Sequence, residues 1–153
     1  MSKKNSSVLK LKDLRSNNKT SLIYSNFKSQ LETSIKKKTF LVAVSGGSDS
    51  LALSALSHTY SIEKKKKFFF VLVDHGIRTN SSKEAENVKK LFKKKKINLT
   101  ILKNNKKINK NIQSHAREIR YKLLLDFCKK NKIKFIMTAH HRDDQIETFL
   151  IRL

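Results

Sequence analysis

Short apolar runs alternate along the chain with longer segments whose apolar residues have helical spacing. The runs are rich in β-branched and aromatic residues and predict four strands, at Phe40–Val44, Phe68–Val73, Ile97–Leu102 and Lys134–Thr138. The other segments predict five helices, at Leu22–Ile35, Asp49–Tyr60, Ser82–Lys95, Ile112–Lys130 and Asp144–Leu153. Because apolar strands alternate with helices, the pattern predicts an α/β fold with a mostly parallel sheet and helices on both faces.

The two ends of the chain depart from this pattern. Residues 1–21 are rich in Lys, Asn and Ser with little periodicity, and we expect them to form a flexible basic lead-in. Residues 22–153 have the size of one domain. The last helical pattern runs up to Leu153 with no terminating residue after it, so we expect this domain to be incomplete at its C-terminus.

The charge composition is strongly basic. The chain has 153 residues, with 35 Lys and Arg against 12 Asp and Glu, and a formal net charge of +23. Such a charge favours a polyanionic partner such as RNA, because each neutralised phosphate releases counterions. The lysine runs also fit a solvated surface that reflects a lysine-rich coding bias, and the composition leaves both interpretations open.

Membrane insertion and disulfide chemistry are both disfavoured. The longest purely apolar runs, Phe40–Val44 and Phe68–Val73, are far shorter than the roughly 20 residues of a membrane-spanning helix. Met1 is not followed by the pattern of a signal peptide, so we expect a cytoplasmic protein with no membrane partner. The one cysteine, Cys128, excludes an internal disulfide and a four-thiolate metal site, and its apolar helical neighbours predict a core thiol.

Polar residues cluster where three of the predicted strands end. They follow the first, second and fourth strands, at Ser45–Ser50, Asp74–Arg78 and His140–Gln145. The carboxyl ends of parallel strands meet at one edge of the sheet, where ligands bind in such folds. We therefore expect the chemistry of this chain to lie along one edge.

The first cluster, Ser45–Ser50, has the composition of a phosphate-binding loop. Two of the three glycines in the chain, Gly46 and Gly47, let backbone N–H groups approach an anion, and the following helix adds its positive N-terminal dipole. No lysine follows Gly47, which disfavours the loop of kinases and GTPases. The alternative is a plain strand-to-helix turn with Ser48 or Asp49 as the N-cap.

The sequence of this cluster, Ser-Gly-Gly-Ser-Asp-Ser, resembles the pyrophosphatase loop of the PP-loop ATPases, which cleave ATP between its α and β phosphates. Three further segments resemble those of one family among them, the tRNA(Ile)-lysidine synthetases: Val73–Arg78, Asn111–Tyr121 and Thr138–Thr148. Together the matches run from about residue 40 to residue 153 in the order of that family. The resemblance implies the adenine nucleotide alpha-hydrolase-like fold of PP-loop ATPases.

The resemblance also implies a reaction and its site. Family members use ATP and Mg2+ to adenylate the wobble cytidine of a tRNA(Ile) with a CAU anticodon, and then join free L-lysine to that base to form lysidine. The ATP-binding residues that it implies are Ser45, Gly46, Gly47, Ser48, Asp49, Ser50, Asp74 and His75. The implied catalytic residues are Asp49, Arg117, His140, Asp144 and Glu147, with Asp49 and Asp144 as the Mg2+ ligands. In this scheme Arg117 and His140 stabilise the reacting phosphate, and Glu147 orients the lysine amine or its own helix.

These residues also have structural interpretations. The segment Asp74–His75 fits the end of a strand and the cap of the next helix. Arg117 and Arg120 lie on one helix face, where both fit solvated charges. Asp144 and Glu147 have the spacing of a capping box.

Two other functions stay open at this point. One is a non-catalytic nucleotide- or RNA-binding fragment, and the other is a different PP-loop tRNA-modifying enzyme such as a cytidine thiolase. Thiolases need cysteines for sulfur transfer or for an iron–sulfur cluster, and a single Cys128 disfavours that chemistry. The sequence does not indicate the oligomeric state or the surface that meets tRNA.

Overall fold

The computed structural model describes residues 18–34, 39–77, 79–104, 112–139 and 151–152. Its helices are α1 (Asn18–Ser34), α2 (Ser48–Glu63), α3 (Ser81–Lys94) and α4 (Ile112–Lys130). Its strands are β1 (Phe40–Val44), β2 (Phe68–Asp74), β3 (Leu99–Lys103), β4 (Phe135–Met137) and β5 (Ile151–Arg152). Strands and helices alternate from β1 to β4, as the apolar pattern predicts. In this described part of the chain, no helix is both long and apolar enough to cross a membrane.

The five strands form one sheet in the order β3-β2-β1-β4-β5. β1 pairs in parallel with β2 on one side and with β4 on the other, and β3 continues the parallel part beyond β2. The predicted α/β fold with a mostly parallel sheet is confirmed. Because the chain moves outward from β1 through β2 to β3 and then returns to the far side of β1, the order reverses at β1. The carboxyl end of β1 is thus the switch point, where ligands bind in open α/β folds.

Alternate residues of each strand bury opposite faces of the sheet. On one face, Phe40 and Val42 of β1 pack with Phe70 of β2, Tyr60 of α2 and Phe92 of α3. The helix α1 adds two more buried side chains to this core, Tyr24 and Leu31. Three helices therefore cover this face.

The opposite face is covered by α4. Leu41 of β1 and Val71 of β2 pack there with Leu124 and Cys128 of the helix, and all four side chains are fully buried. Burial raises the pKa of the Cys128 thiol to about 11, which keeps the thiol protonated and unreactive at neutral pH. The predicted core role of Cys128 is confirmed.

The helix α1 begins at Asn18, whereas the apolar pattern predicts its start at Leu22. Asn18, Lys19 and Ser21 are exposed, so apolar spacing cannot mark this first turn. Residues 1–17 of the predicted lead-in lie outside the described residues, and so do residues 105–111 of the polar segment before α4.

The prediction of a helix over Asp144–Leu153 is wrong at the C-terminal end of that range. Ile151 and Arg152 form the short strand β5, which pairs antiparallel with β4. The outer edge of β4 has backbone groups that need hydrogen-bond partners, a demand that helical spacing along the sequence does not reveal. Residues 140–150 lie outside the described residues.

Asp74 ends β2 and fastens it to the segment that follows. Its side chain is 5% exposed, its Oδ1 accepts a hydrogen bond from the Gly76 N–H at 3.1 Å, and its Oδ2 accepts one from the Ser82 hydroxyl at 2.6 Å. Burial alone would raise the pKa of Asp74. These hydrogen bonds, a further one from Ser81 and the charge of Lys103 outweigh burial and hold that pKa below its ordinary value. The ionised carboxylate thus fixes the start of α3 against the end of β2.

Asp74→Asn should destabilise the protein at neutral pH by about 1–3 kcal/mol, because an amide oxygen replaces only one of two acceptors. A carboxylate with a lowered folded-state pKa contributes stability above its unfolded-state pKa of about 3.9 and loses it as the pH falls through the lower, folded-state pKa. The stability gap between the native protein and the variant should therefore narrow as the pH falls below about 4. Urea unfolding across this pH range measures the gap. Glu86→Gln, at an exposed position on α3, is the control and should change stability little at any pH. A stability difference between Asp74→Asn and the native protein that is the same at every pH would contradict a role for the charge of Asp74.

Candidate functional site

A cleft of about 1080 Å³ opens at the carboxyl edge of the sheet, between the N-terminal parts of α3 and α4. Ser45, which follows β1, and the segment Asp74–His75 at the end of β2 line it from the sheet side. The helix α4 contributes Arg117 and Arg120. The first two predicted polar clusters therefore meet at one edge, as the parallel strand order requires.

The loop Ser45–Ser50 joins β1 to α2 and is held in shape by one buried hydroxyl. Ser50 is 2% exposed, and its Oγ accepts hydrogen bonds from the backbone N–H groups of Ser45 at 3.2 Å and Gly46 at 3.1 Å. The Ser50 hydroxyl donates to the carbonyl of Gly47 at 3.0 Å, and its oxygen also accepts the Ser45 hydroxyl at 3.1 Å. Ser50 thus stabilises the loop from inside.

Gly46 and Gly47 differ in whether the fold requires a glycine at their position. Gly46 has a φ of +88°, and a Cβ built on it would lie 2.9 Å from Cγ2 of Val88 on α3. The fold therefore requires glycine at position 46. Gly47 has a φ of −74°, and the nearest atom to a Cβ there would be Ser45 Oγ at 3.7 Å, an ordinary contact. Packing within the described protein does not explain the glycine at position 47.

The helix α2 begins at Ser48 with Gly47 as its N-cap, and within the described residues no side chain caps it. The alternative with Ser48 or Asp49 as N-cap is wrong, because both lie in the first turn. Backbone N–H groups at such a helix start attract anions, as does the positive end of the helix dipole. Asp49 is exposed in this turn, where the Ser48 hydroxyl donates to its Oδ1 at 3.4 Å. The turn therefore places backbone N–H groups that attract anions beside a carboxylate.

His75 follows Asp74 and contacts α4. Its Nε2 accepts a hydrogen bond from Nε of Arg120 at 3.2 Å, which requires a neutral ring with its proton on Nδ1. Nδ1 is buried and has no hydrogen-bond partner among the residues that the structure describes. Burial lowers the pKa of His75, and the charge of Arg120 lowers it further against the opposing effect of Asp74. His75 therefore presents a buried N–H donor at neutral pH.

The two arginines of α4 differ in their surroundings. Arg117 is exposed at the rim of the cleft, and its guanidinium lies 5.4 Å from the centre of the Tyr121 ring. Arg120 is partly buried, and burial lowers the pKa of its guanidinium. The predicted site includes Arg117 and misses Arg120. Helical spacing could have predicted that Arg120 faces the sheet. It lies four residues from both Ala116 and Leu124, which are buried on the inner face of α4.

A smaller cavity of about 110 Å³ adjoins the cleft, between α4 and the ends of β1 and β2. It shares Ser45, His75 and Arg120 with the cleft, and Val71 and Leu124 are among its apolar lining. The hydrogen-bonded pair of His75 and Arg120 therefore stands where the two spaces meet.

The structure brings the described part of the predicted site together. Ser45, Asp74, His75 and Arg117 line the cleft. The rest of the loop, Gly46, Gly47, Ser48, Asp49 and Ser50, follows Ser45 in the chain but is not part of the cleft lining. Both oxygens of Asp74 bond within the protein, which favours the capping interpretation for this residue.

The rest of the predicted site, His140, Asp144 and Glu147, lies outside the described residues. Across the described ranges, no group of three or more His, Cys, Asp or Glu side chains is placed to hold a metal ion. Asp49 offers one carboxylate, and the proposed pairing of Asp49 with Asp144 stays a prediction.

Known proteins resemble this chain over most of its length. It is similar to the tRNA(Ile)-lysidine synthase of Wolbachia pipientis wMel, with 46% identity over an alignment of 117 residues; the match covers 73% of this chain and 27% of that protein. It is also similar to the tRNA(Ile)-lysidine synthase of Orientia tsutsugamushi (strain Boryong), with 39% identity over 113 residues, 73% of this chain and 26% of that protein. The chain thus spans about a quarter of the length of these curated relatives.

A solved structure has the same fold. It is the U34-tRNA thiolase NcsA from Methanococcus maripaludis with its [4Fe-4S] cluster, which matches with a TM-score of 0.63 and 19% identity over 78% of this chain and 45% of that chain. The model of a family described as a PP-loop domain matches residues 18–153, which is most of the chain. With its loop at the switch point of a parallel sheet, this chain belongs to the PP-loop domain family.

Proposed function

We propose that this chain is the ATP-binding catalytic domain of a tRNA(Ile)-lysidine synthetase. The observation that carries the proposal is the loop Ser45–Ser50, with its anion-attracting helix start and with a glycine at position 47 that the fold does not require. Membership in the PP-loop domain family supports ATP as the nucleotide. The name shared by the Wolbachia and Orientia relatives supplies the RNA, tRNA(Ile), and the product, lysidine.

The proposed reaction has two steps. The C2 oxygen of the wobble cytidine in a CAU anticodon attacks the α-phosphorus of ATP, so an O–P bond forms and the bond to the departing pyrophosphate breaks. The amine of free L-lysine then attacks C2 of the activated base, so a C–N bond forms, the C2–O bond breaks and AMP departs. The amine loses a proton in this second step. Both leaving groups are phosphates, and the site must therefore stabilise negative charge.

The loop suits the first leaving group. The N–H groups at the start of α2 would receive the pyrophosphate, and Ser50 fixes the loop before substrate arrives, which is the preorganisation that electrostatic catalysis needs. Asp49 fits Mg2+, because its exposed carboxylate stands beside this turn, and Mg2+ needs only one or two carboxylates when phosphates and water complete its shell. Bound there, Mg2+ would neutralise charge on the phosphates. Asp144 is the proposed second ligand.

The helix α4 supplies cationic groups to the cleft. Arg120 is oriented by its hydrogen bond to His75, and Arg117 adds a second positive charge at the rim. Guanidinium groups bind phosphate oxygens with directed hydrogen bonds, so both suit the reacting phosphate. His140 is assigned to the same phosphate and Glu147 to the lysine amine, as the resemblance to the family implies.

Cytidine thiolation is the weaker candidate. Sulfur transfer needs a thiol that ionises and reaches the substrate. Cys128 is the one cysteine of the chain, it is fully buried in the core beneath α4, and burial raises its pKa to about 11. This thiol suits packing and does not suit sulfur transfer.

Incubation of the protein with ATP, labelled L-lysine and tRNA(Ile) carrying a CAU anticodon should transfer the label to the tRNA and release AMP and pyrophosphate. A tRNA that differs only in having uridine at the wobble position is the matched control and should stay unlabelled. Acid-precipitable label and chromatography of the nucleotides measure the two outcomes. ATP binding without any tRNA-dependent release of pyrophosphate would contradict the proposed synthetase activity. It would favour a non-catalytic nucleotide-binding module instead.

Asp49→Asn should lower tRNA-dependent ATP–pyrophosphate exchange by about 100-fold or more, because the loop loses its carboxylate ligand for the cation. Circular dichroism should stay unchanged, since Asp49 is exposed. Asp126→Asn makes the same chemical change at an exposed position on α4 and should leave exchange intact. Normal exchange in Asp49→Asn would exclude the cation role of this residue.

Gly46→Ala and Gly47→Ala should separate folding from nucleotide binding. The first places a Cβ 2.9 Å from Val88 at a left-handed φ and should cost about 1–3 kcal/mol of stability. The second should lose at most about 1 kcal/mol of stability, the usual cost of alanine at an N-cap. It should bind ATP about tenfold more weakly, because its Cβ would obstruct the approach of phosphate to the backbone. Urea unfolding and calorimetric titration with ATP give the two readouts. Equal ATP affinity of Gly47→Ala and the native protein would contradict the phosphate site.

A further inference from the structure

Lysines crowd the three described connections that lead from a helix into a strand. We call this set the lysine edge: Lys64–Lys67 before β2, Lys93–Lys96 before β3, and Lys129, Lys130, Lys132 and Lys134 before β4. Residues 64–67, 93–98 and 129–134 contain no Asp or Glu. The connections are therefore uniformly basic.

The topology gathers these connections at one place. Because β1 to β4 are parallel, every helix-to-strand connection lies at the amino edge of the sheet, opposite the cleft. The strands β3, β2, β1 and β4 are neighbours in that order, so the row spans three strand spacings, about 14 Å. By contrast, Asp49, Asp74 and Glu84 lie at or near the carboxyl edge.

The three connections share one backbone geometry. Lys65, Lys96 and Lys132 have φ values of +50°, +59° and +54°, in the left-handed region. Each donates its N–H to the carbonyl three residues earlier, and the next residue donates to the carbonyl five residues before it, which is the hydrogen-bond pattern of the Schellman motif. Glycine is the usual residue at this position because a Cβ is unfavourable there. Each connection therefore places a lysine where local stability favours glycine.

Contacts with the fold restrain several of these lysines. The ammonium of Lys66 lies 5.5 Å from the centre of the Tyr60 ring, and that of Lys67 lies 4.9 Å from the centre of the Phe69 ring. Lys64 differs from them, because it forms an ion pair with Glu32 at 2.7 Å. Charges that are held in place lose less conformational entropy when they meet a ligand.

We propose that the lysine edge binds the phosphate backbone of RNA without sequence preference, as a second surface at the far side of the sheet from the nucleotide cleft. The three connections carry lysines and no carboxylate, and a row of such cations complements a row of phosphates. Glu32 and Glu63 lie beside this edge, where they pair with Lys64 and Lys28. An anionic membrane is the poorer fit, because Ile97 and Ile133, which follow two of the left-handed lysines, are buried, and the exposed Ile62 before Lys65 is too little apolar surface for insertion. The choice of RNA among polyanions rests on the proposed function, whereas the surface itself does not.

The test compares two triple variants that remove the same charge from different places. The edge variant replaces three residues of the lysine edge with Gln: Lys65, Lys96 and Lys132. The control variant replaces three lysines at exposed positions on α3 and α4 with Gln: Lys83, Lys89 and Lys122. Binding of a fluorescent RNA hairpin of arbitrary sequence is followed by anisotropy at several salt concentrations, without ATP or L-lysine. The edge variant should lose about tenfold or more in affinity, and the slope of log K against log salt should fall by about 2–3. The control variant should lose less than about threefold.

A third variant excludes damage to the fold as the cause. Lys65, Lys96 and Lys132→Gly removes the same charges but should raise Tm, because glycine relieves the left-handed positions. It should bind RNA as weakly as the Gln variant does. Equal losses in the edge and control variants, native affinity in the Gly variant, or tighter binding to phosphatidylserine vesicles than to RNA would each overturn the proposal. Because RNA binding is measured without substrates, failure of pyrophosphate exchange leaves this result unaffected.

Discussion

Parallel pairing on both sides of β1 is the constraint on which the site depends. Val44, at the end of β1, is in register with Leu72 of β2, so the loop that begins at Ser45 emerges beside the last residues of β2. Because β4 pairs with the other side of β1, α4 must cross the second face of the sheet to reach it. That crossing brings Arg117 and Arg120 to the cleft. The loop, the end of β2 and the cationic helix therefore meet through strand order.

Local sequence patterns predict much of this architecture. The strand β1 and the helix α4 have the predicted bounds, because a run of apolar residues and a long helical stripe each end at polar residues. The loop Ser45–Ser50 is also local, since a glycine pair between a buried strand and a helix marks a tight turn, and glycine can adopt the positive φ that position 46 has. The lysines that crowd the connections were visible as runs, but their gathering at one edge follows only from the parallel topology.

Contacts between distant segments are what the sequence did not reveal. Arg120 and His75 are 45 residues apart, and their hydrogen bond exists only once α4 packs across the sheet. The conformational need for glycine at position 46 comes partly from Val88, on a different helix. The strand β5 has the same origin, because the edge of β4 decides the conformation of Ile151–Arg152 more strongly than their helical spacing. Local patterns predict elements, while side-chain partners depend on the assembled sheet.

The length of the strands has a consequence for any RNA that touches both edges of the sheet. β1 has five residues and β2 has seven, so at about 3.3 Å per residue the cleft and the lysine edge are separated by about 17–23 Å. No single nucleotide reaches across that distance. An RNA held at both places must pass around the side of the domain with several nucleotides in between. Under the two proposals, only an RNA long enough to span this distance contacts both edges at once, whereas a short fragment occupies one edge at a time.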